Sequence, residues 1–107
     1  MELSQYMIVL VNLDPIVESE VQKTRPCVII SPNEMNIYLN TIVIVPMTSS
    51  LKKYPTRVPV KHNGKKRMIA IDQIRTIDKL RIIKTFEKLT ATEIASCKAI
   101  LKETFVD

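Results

Sequence analysis

The feature that most restricts the fold of this 107-residue chain is its single glycine, Gly64. Glycine adopts left-handed backbone conformations most readily, so other turns must use Asn or Asp or avoid that geometry. A Walker-type phosphate-binding loop needs several glycines and is therefore excluded. Asn63 precedes Gly64, and an Asn-Gly pair between two strand-like segments is the strongest short signal for a β-hairpin.

Short runs of β-branched and apolar residues predict strands along most of the chain. They cover residues 8–13, 26–31, 41–47, 56–61, 67–71 and 81–89. The third run is the most apolar, which favours a central strand covered on both faces. A turn or a single helical turn is expected at residues 32–36. Residues 16–25 are polar and aperiodic, which predicts a long loop, and loops of that length are usually functional.

The C-terminal segment is predicted to form a helix. Thr90 and Glu93 have the spacing of a capping box. Four apolar residues then recur at helical spacing along one face: Ile94, Cys97, Leu101 and Phe105. This stripe predicts packing against a core. Many short strands, one hairpin and one closing helix predict a single, mainly β domain over residues 1–107, folded as a partly open antiparallel barrel.

Charge is distributed unevenly along the chain. The formal net charge is +5, and no acidic residue occurs between Glu34 and Asp72. Seven basic residues fall inside this stretch: Lys52, Lys53, Arg57, Lys61, Lys65, Lys66 and Arg67. A folded patch of this kind attracts polyanions, and nucleic acid first among them. A solvated basic surface that keeps the protein in solution explains the same pattern equally well.

The cysteine and histidine content excludes several kinds of site. Cys27 and Cys97 form no C-x-x-C unit and are expected to be buried, reduced thiols of a cytoplasmic protein. His62 is the sole histidine, so neither a Cys/His zinc site nor two-histidine catalysis is expected. It is predicted to be exposed, in or beside the hairpin turn. No metal or cofactor is expected, and the apolar run at residues 7–11 is too short for a signal peptide or membrane span.

Polar residues at the ends of apolar strands remain as candidates for chemistry. Arg25 precedes the second predicted strand, Thr48 follows the third, and Asp72 and Gln73 close the fifth. A rigid sheet fixes such side chains while the adjoining loops give access to them. The planar guanidinium of arginine holds two phosphate oxygens at once and stays charged. Taken singly, each position is more typical of a strand-end hydrogen bond or a surface charge.

Longer motifs surround these positions. They are SEVQKTRPCVIIS at residues 19–31, PMTS at 46–49, YPTRVPV at 54–60 and AIDQIRTIDK at 70–79. Together they resemble the MazF/PemK/Kid toxins of bacterial toxin–antitoxin pairs. The resemblance implies an SH3-like barrel with a C-terminal helix, a homodimer, and an endoribonuclease of the mRNA interferase type that cleaves single-stranded RNA sequence-selectively without metal. It also implies an antitoxin whose acidic, disordered tail occupies the RNA groove.

The resemblance assigns roles to particular residues. Arg25 and Thr48 match the family's main catalytic pair, which would promote attack of an RNA 2′-hydroxyl on its neighbouring phosphate to give a cyclic phosphate and a 5′-hydroxyl. Arg25 would grip the phosphate and stabilise its developing charge. Glu20 or Asp72 would accept the proton, because a guanidinium hardly deprotonates in proteins. Six residues are expected to contact bases or phosphates: Ser19, Lys23, Asn36, Asn40, Ser49 and Gln73.

Two other functions stay open at this point. A gyrase-poison toxin shares this barrel but acts through a tryptophan-bearing helix end, and this chain contains no tryptophan. A degenerate family member would bind RNA or antitoxin without cleaving. The first loop keeps this alternative open, because Glu18 and Gln22 stand at positions where the family usually has glycine. Tyr6 and Met7 likewise stand where the family commonly has Gly-Asp.

Overall fold

The computed structural model describes residues 2–13 and 24–106. Within them the elements, in chain order, are β1 (Met7–Asn12), β2 (Thr24–Ile29), α1 (Asn33–Tyr38), β3 (Thr41–Thr48), β4 (Arg57–His62), β5 (Lys65–Ala70), β6 (Arg75–Asp78), β7 (Ile82–Lys88) and α2 (Ala91–Phe105). Two 3₁₀ turns, Ile71–Gln73 and Lys79–Arg81, flank β6. No helix in this part of the chain is both long and apolar enough to cross a membrane.

The strands form one curled antiparallel sheet. Their order is β4-β5-β3-β2-β1-β7, and β6 pairs with the first half of β3. The centre of the sheet is β3, which pairs with β2 along one edge and with β6 and then β5 along the other. This confirms the predicted fold class, a mainly β half-barrel of antiparallel strands with a C-terminal helix.

Two apolar clusters explain why β3 is apolar throughout its length. Val45 and Met47 belong to the cluster that α2 covers through Cys97. Ile42 and Ile44 belong to a second cluster on the opposite face. Successive strand residues point to opposite faces, so a strand buried on both sides must be apolar at nearly every position. The predicted central strand is confirmed, and both cysteines are buried free thiols, as expected.

Three of the described residues have a left-handed backbone, and they agree only in part with the prediction that Asn or Asp would take such positions beside the single glycine. Asn63 and Gly64 have φ values of +50° and +74° and join β4 to β5, which confirms the hairpin. Tyr6 also has a positive φ, +68°. The expectation that Asn or Asp would fill every such position is therefore wrong. Backbone bonds on both sides hold Tyr6 there: its N–H donates to the Ile29 carbonyl, and its carbonyl accepts from Leu89.

The edge strands of the sheet, β4 and β7, meet where the barrel closes. The His62 ring of β4 lies edge-on to the Phe86 ring of β7, with centroids 4.8 Å apart and an interplanar angle of 81°. His62 is 4% exposed, so the predicted exposed histidine is wrong. The cause is register. Only Asn63 and Gly64 form the turn, and His62 falls on the inward face of β4 with Val58 and Val60.

The predicted helix and its cap are confirmed. The Thr90 hydroxyl accepts a bond from the Glu93 N–H, and the Glu93 carboxylate accepts one from the Thr90 N–H. The same carboxylate also accepts a 3.3 Å bond from the Lys61 N–H of β4, which ties the start of the helix to the edge of the sheet. Cys97 is fully buried, whereas Phe105 at the helix end is 52% exposed.

Strand boundaries differ from the prediction around the candidate site. Strand β2 begins at Thr24, so Arg25 lies inside the strand, opposite Val11 of β1, instead of in the preceding loop. Thr48 is the last residue of β3 and does not follow it. Strand β6 was not predicted at all, because Ile77 is the one buried residue among its four and leaves little pattern to detect.

Candidate active site

Arg25 and Thr48 stand on neighbouring strands at the same end of the sheet. Strands β2 and β3 pair Ile29 with Ile44 and Cys27 with Pro46. The same register, continued two residues along both strands, sets Arg25 level with Thr48. Because directly opposed residues share a face of the sheet, both side chains point to the face that carries Cys27. We call this surface the Arg25 face. It brings together the two residues predicted to form the catalytic pair.

The pKa of the buried Cys27 thiol depends on two nearby arginines. Burial raises the pKa of this thiol to about 12, while the positive charges of Arg25 and Arg75 act in the opposite direction. Two guanidinium groups are therefore near Cys27. Arg75 of β6 lies opposite Ile44 and shares a face with the buried Ile77, which places it on the Arg25 face. Sequence reasoning missed Arg75 because no strand was predicted there.

Thr48 has its hydroxyl oriented by the loop that follows. The Thr48 Oγ1 atom accepts a 3.2 Å bond from the N–H of Ser50. A hydroxyl has one hydrogen to donate besides its acceptor sites, so this bond leaves the Thr48 hydrogen available for a phosphate oxygen. Ser49 is exposed beside it. This geometry leaves the Thr48 hydroxyl able to bond a phosphate oxygen.

Asp72 is engaged by two neighbours in the structure. Its Oδ1 atom accepts 2.9 Å bonds from Arg57 Nε and from the Thr56 hydroxyl, and its Oδ2 accepts from Arg57 Nη2 at 3.4 Å. These bonds, with that from Arg57 foremost, lower the pKa of the Asp72 carboxyl. A carboxylate with a lowered pKa is a weaker base. Gln73 is exposed next to it in the same 3₁₀ turn.

A basic groove lies on the hairpin of β4 and β5, one strand away from Thr48. Thr48 is opposite Met68 of β5, which is opposite Pro59 of β4, so the three share the Arg25 face. Pro59 and Met68 form the apolar floor of the groove together with Leu51. Four basic side chains line it, Lys53, Lys61, Lys66 and Arg67, together with one acidic side chain, Glu93. This arrangement fits a polyanion whose phosphates meet the lysines while its bases contact the floor.

Two predicted substrate contacts lie elsewhere. Asn36 is 3% exposed, and its amide exchanges hydrogen bonds with Ser31, whose hydroxyl donates to Asn36 Oδ1 at 2.6 Å. Its prediction as an RNA contact is wrong, because this buried pair fixes α1 against the start of β3. Asn40 precedes β3 at the end opposite to Thr48, which separates the two by roughly 25 Å in an extended strand. Within one chain, Asn40 is therefore remote from the Arg25–Thr48 pair.

Three further predicted residues, Ser19, Glu20 and Lys23, lie outside the described residues. In the described part of the chain, His, Cys, Asp and Glu form no group of three or more that could hold a metal ion. Sequence reasoning also gave no separate role to Arg57 or Tyr54. The signal was the YPTR segment before β4, where an aromatic and an arginine stand at a strand entrance.

The chain is similar in sequence to a known family of proteins. Residues 4–105 match the model of the PemK-like, MazF-like toxins of type II toxin–antitoxin systems. The Endoribonuclease MazF of Staphylococcus epidermidis is 36% identical over 87 residues, which cover 76% of this chain and 70% of that protein.

Solved structures agree in fold. A crystal structure of MazE–MazF from Deinococcus radiodurans superimposes with a TM-score of 0.84 at 24% identity, covering 96% of this chain and 95% of that one. A mycobacterial endoribonuclease in complex with its cognate antitoxin gives 0.83 at 17% identity, with 97% and 95% covered. At these identities the superpositions establish the shared fold.

Proposed function

This chain belongs to the PemK-like, MazF-like toxins of type II toxin–antitoxin systems, and we propose that it is an endoribonuclease that cuts single-stranded RNA sequence-selectively without a metal ion. The observation that carries the proposal is the β2–β3 register, which, when continued two residues past the Cys27–Pro46 pair, sets Arg25 level with Thr48 on one face of the sheet. The 36% identity to an endoribonuclease over most of the chain supports it.

In the proposed reaction the RNA supplies its own nucleophile. The 2′-oxygen bonds to the adjacent phosphorus, the bond from phosphorus to the 5′-oxygen breaks, and the products are a 2′,3′-cyclic phosphate and a 5′-hydroxyl. Arg25 holds two phosphate oxygens and stabilises the charge that grows on them in the transition state. Thr48 donates its hydrogen to a phosphate oxygen. Arg75, level with Ile44, adds a second positive charge to the Arg25 face.

The proton of the 2′-hydroxyl needs an acceptor, for which Glu20 and Asp72 are the candidates. Asp72 is a poor choice, because Arg57 and Thr56 already occupy its oxygens and hold its pKa down. We therefore assign the proton acceptor to Glu20. The leaving 5′-oxygen takes a proton from solvent or from the acid form of that carboxyl, which balances the reaction.

The groove beside Thr48 suggests how activity is restrained. We propose that the cognate antitoxin places an acidic, disordered tail along Lys53, Lys61 and Lys66, where it competes with RNA. Two structural relatives were solved together with an antitoxin, which supports an antitoxin as a partner. We further propose that the toxin is a cytoplasmic homodimer.

The test is cleavage of a mixed single-stranded RNA in EDTA, followed by sequencing of the 5′-hydroxyl ends. Wild-type protein should cut at a common sequence. Arg25→Ala and Thr48→Val should lower kcat by at least about 100-fold, the effect of losing one oxyanion-stabilising group. Thr48→Ser keeps the hydroxyl and should retain most activity. Undiminished cutting by Arg25→Ala, with the fold intact by circular dichroism, would falsify the assignment. RNA binding without any cutting would instead indicate a degenerate member.

A further inference from the structure

An exposed aromatic ring stands in the loop that leads from Thr48 to β4. Tyr54 is 49% exposed, in the loop between β3 and β4. The guanidinium of Arg57 lies over one face of its ring, 5.2 Å from the centroid, which is within the range of a cation–π contact. About half of the Tyr54 surface stays exposed, which leaves part of the ring accessible to a ligand.

Hydrogen bonds hold the side chain of Arg57, which stacks on this ring. Asp72 accepts from both Nε and Nη2 of Arg57, and the Thr56 hydroxyl bonds to the same carboxylate. The Arg57 side chain is only 12% exposed. A guanidinium fixed at two nitrogens gives the tyrosine a rigid backing, so the ring loses little freedom when a second planar group stacks on it.

The position of this group fits a substrate strand. Arg57 shares a face with Pro59, which lies in the same row of the sheet as Met68 and Thr48. Arg57 is thus two residues along β4 and two strands across from Thr48, or roughly 12 Å in a regular sheet. Tyr54 therefore lies close to the end of the groove at which the phosphate would be cut.

We propose that Tyr54 is a base-stacking subsite, which binds a nucleobase of the RNA strand next to the cleaved phosphate while Arg57 and Asp72 position the ring. This inference rests on the proposed ribonuclease function and adds a site to it. Stacking tolerates any base, because each base has a π-face. The subsite would therefore contribute affinity and strand placement, and base identity would be read elsewhere.

The experiment is a series of RNAs that carry the mapped cut site, each lacking one base near it. For wild-type protein, removal of the stacked base should lower kcat/KM by about 5- to 100-fold, the range for loss of one base–aromatic stack. Tyr54→Ala should show a comparable loss on intact RNA, mainly through KM, and should be insensitive to removal of that same base. Tyr54→Phe keeps the ring and should behave as wild type.

Tyr38→Ala is the matched control, because Tyr38 is an 81% exposed tyrosine on α1, and it should leave the whole series unchanged. Thermal melting of Tyr54→Ala checks that the fold is kept. Wild-type activity of Tyr54→Ala on intact RNA, or unaltered sensitivity to every missing base, would overturn the proposal. If the wild type cuts no RNA, the proposed function fails, and the subsite is then tested alone by fluorescence anisotropy with a mixed single-stranded RNA, which Tyr54→Ala should bind more weakly than Tyr54→Phe.

Discussion

At the scale of single residues, Arg25 and Asp72 differ in what already surrounds them. Arg25 is exposed, and among the described residues the one hydrogen bond between it and the buried Cys27 thiol, at 3.5 Å, involves its backbone carbonyl and not its side chain. Asp72 is committed to Arg57 and Thr56. A phosphate can therefore approach Arg25 directly, whereas a proton transfer to Asp72 would have to disrupt existing bonds. This contrast is the reason for treating Asp72 as a positioning residue.

We expect Asp72→Asn to lower kcat by less than about tenfold, because general-base catalysis, which contributes 10²–10⁴-fold, is assigned to another carboxylate. The pH dependence of kcat is the decisive measurement. The acidic limb of the profile should stay where it is in the wild type, since that limb reports the true proton acceptor. A loss of a thousandfold together with a displaced limb would show that Asp72 takes the proton. Glu20→Gln is the companion variant and should abolish that limb.

The same substitution has a predicted effect on stability. A carboxyl whose folded pKa is lowered stabilises the fold above its unfolded pKa, near 3.8, and that contribution disappears as the pH falls through the folded value. Asp72→Asn should therefore lower the free energy of unfolding at pH 7, by under about 1 kcal/mol for a pair this exposed. The difference between the two proteins should vanish in strong acid. Urea unfolding at both pH values measures it.

At the scale of elements, the hairpin between β4 and β5 depends on its one glycine. Gly64 has φ +74°, and a Cβ built there meets no atom within 4 Å. Gly64→Ala should therefore cost only the left-handed backbone penalty, about 1–2 kcal/mol. Asn63→Gly, at φ +50°, should be close to neutral. Chemical denaturation of the two variants makes the comparison, and equal losses would mean that side-chain contacts in the turn matter more than backbone conformation.

The start of α2 offers a second test at this scale. Thr90→Ala removes the hydroxyl that accepts from the Glu93 N–H and should lower the free energy of unfolding by about 1 kcal/mol. Thr92→Ala, at an exposed position of the first turn, is the control and should change stability by less than about 0.5 kcal/mol. Denaturant unfolding compares the pair. Similar stabilities would contradict a role for the cap.

The elements that were predicted correctly are those determined by residues close together in the sequence. Asn63-Gly64 and Thr90 with Glu93 determine a turn and a helix start within four residues, so both were found. The start of β2 and the whole of β6 depend on partners distant in sequence. Thr24 and Arg25 become strand residues because β1 pairs with them, and β6 forms because β3 offers a free edge. Patterning within a short segment contains none of that information.

The candidate site follows the same division. Arg25 and Thr48 were predicted because they lie at the ends of strongly apolar segments and match the family's motifs, and their catalytic role stays a prediction. Tyr54, Arg57 and Arg75 were missed because their importance comes from neighbours on other strands. Asn36 was wrongly assigned because nothing in its own segment reveals that Ser31 and the start of β3 enclose its amide. Contacts across strands are determined only when the whole sheet forms.

At the scale of the whole molecule, the barrel is closed by contacts between strands that are not paired. His62 on β4 and Phe86 on β7 belong to opposite edges of the strand order. The Nδ1 atom of His62 is buried without a hydrogen-bond partner among the described residues. Protonation would place a charge and an unsatisfied donor in this seam, which would weaken the closure. The basic groove next to the hairpin would loosen with it.

The pH dependence of stability should reveal this seam. Burial lowers the pKa of His62, assisted by Arg67, although Glu87 acts to raise it. Because the unfolded chain then binds the proton more readily, stability is complete above the unfolded pKa near 6.5 and falls as the pH drops below it. One proton limits the slope to about 1.4 kcal/mol per pH unit.

His62→Leu removes the titrating group and keeps an apolar side chain against Phe86, so the two proteins differ in one ionisation. Urea unfolding between pH 7.5 and 5 should show wild-type stability falling more steeply than that of the variant. Other acid-sensitive groups are shared and cancel in the difference. Parallel curves would mean that His62 titrates alike in both states. A wild type that gains stability relative to the variant on acidification would mean that Glu87 outweighs burial and that the seam holds the charged ring.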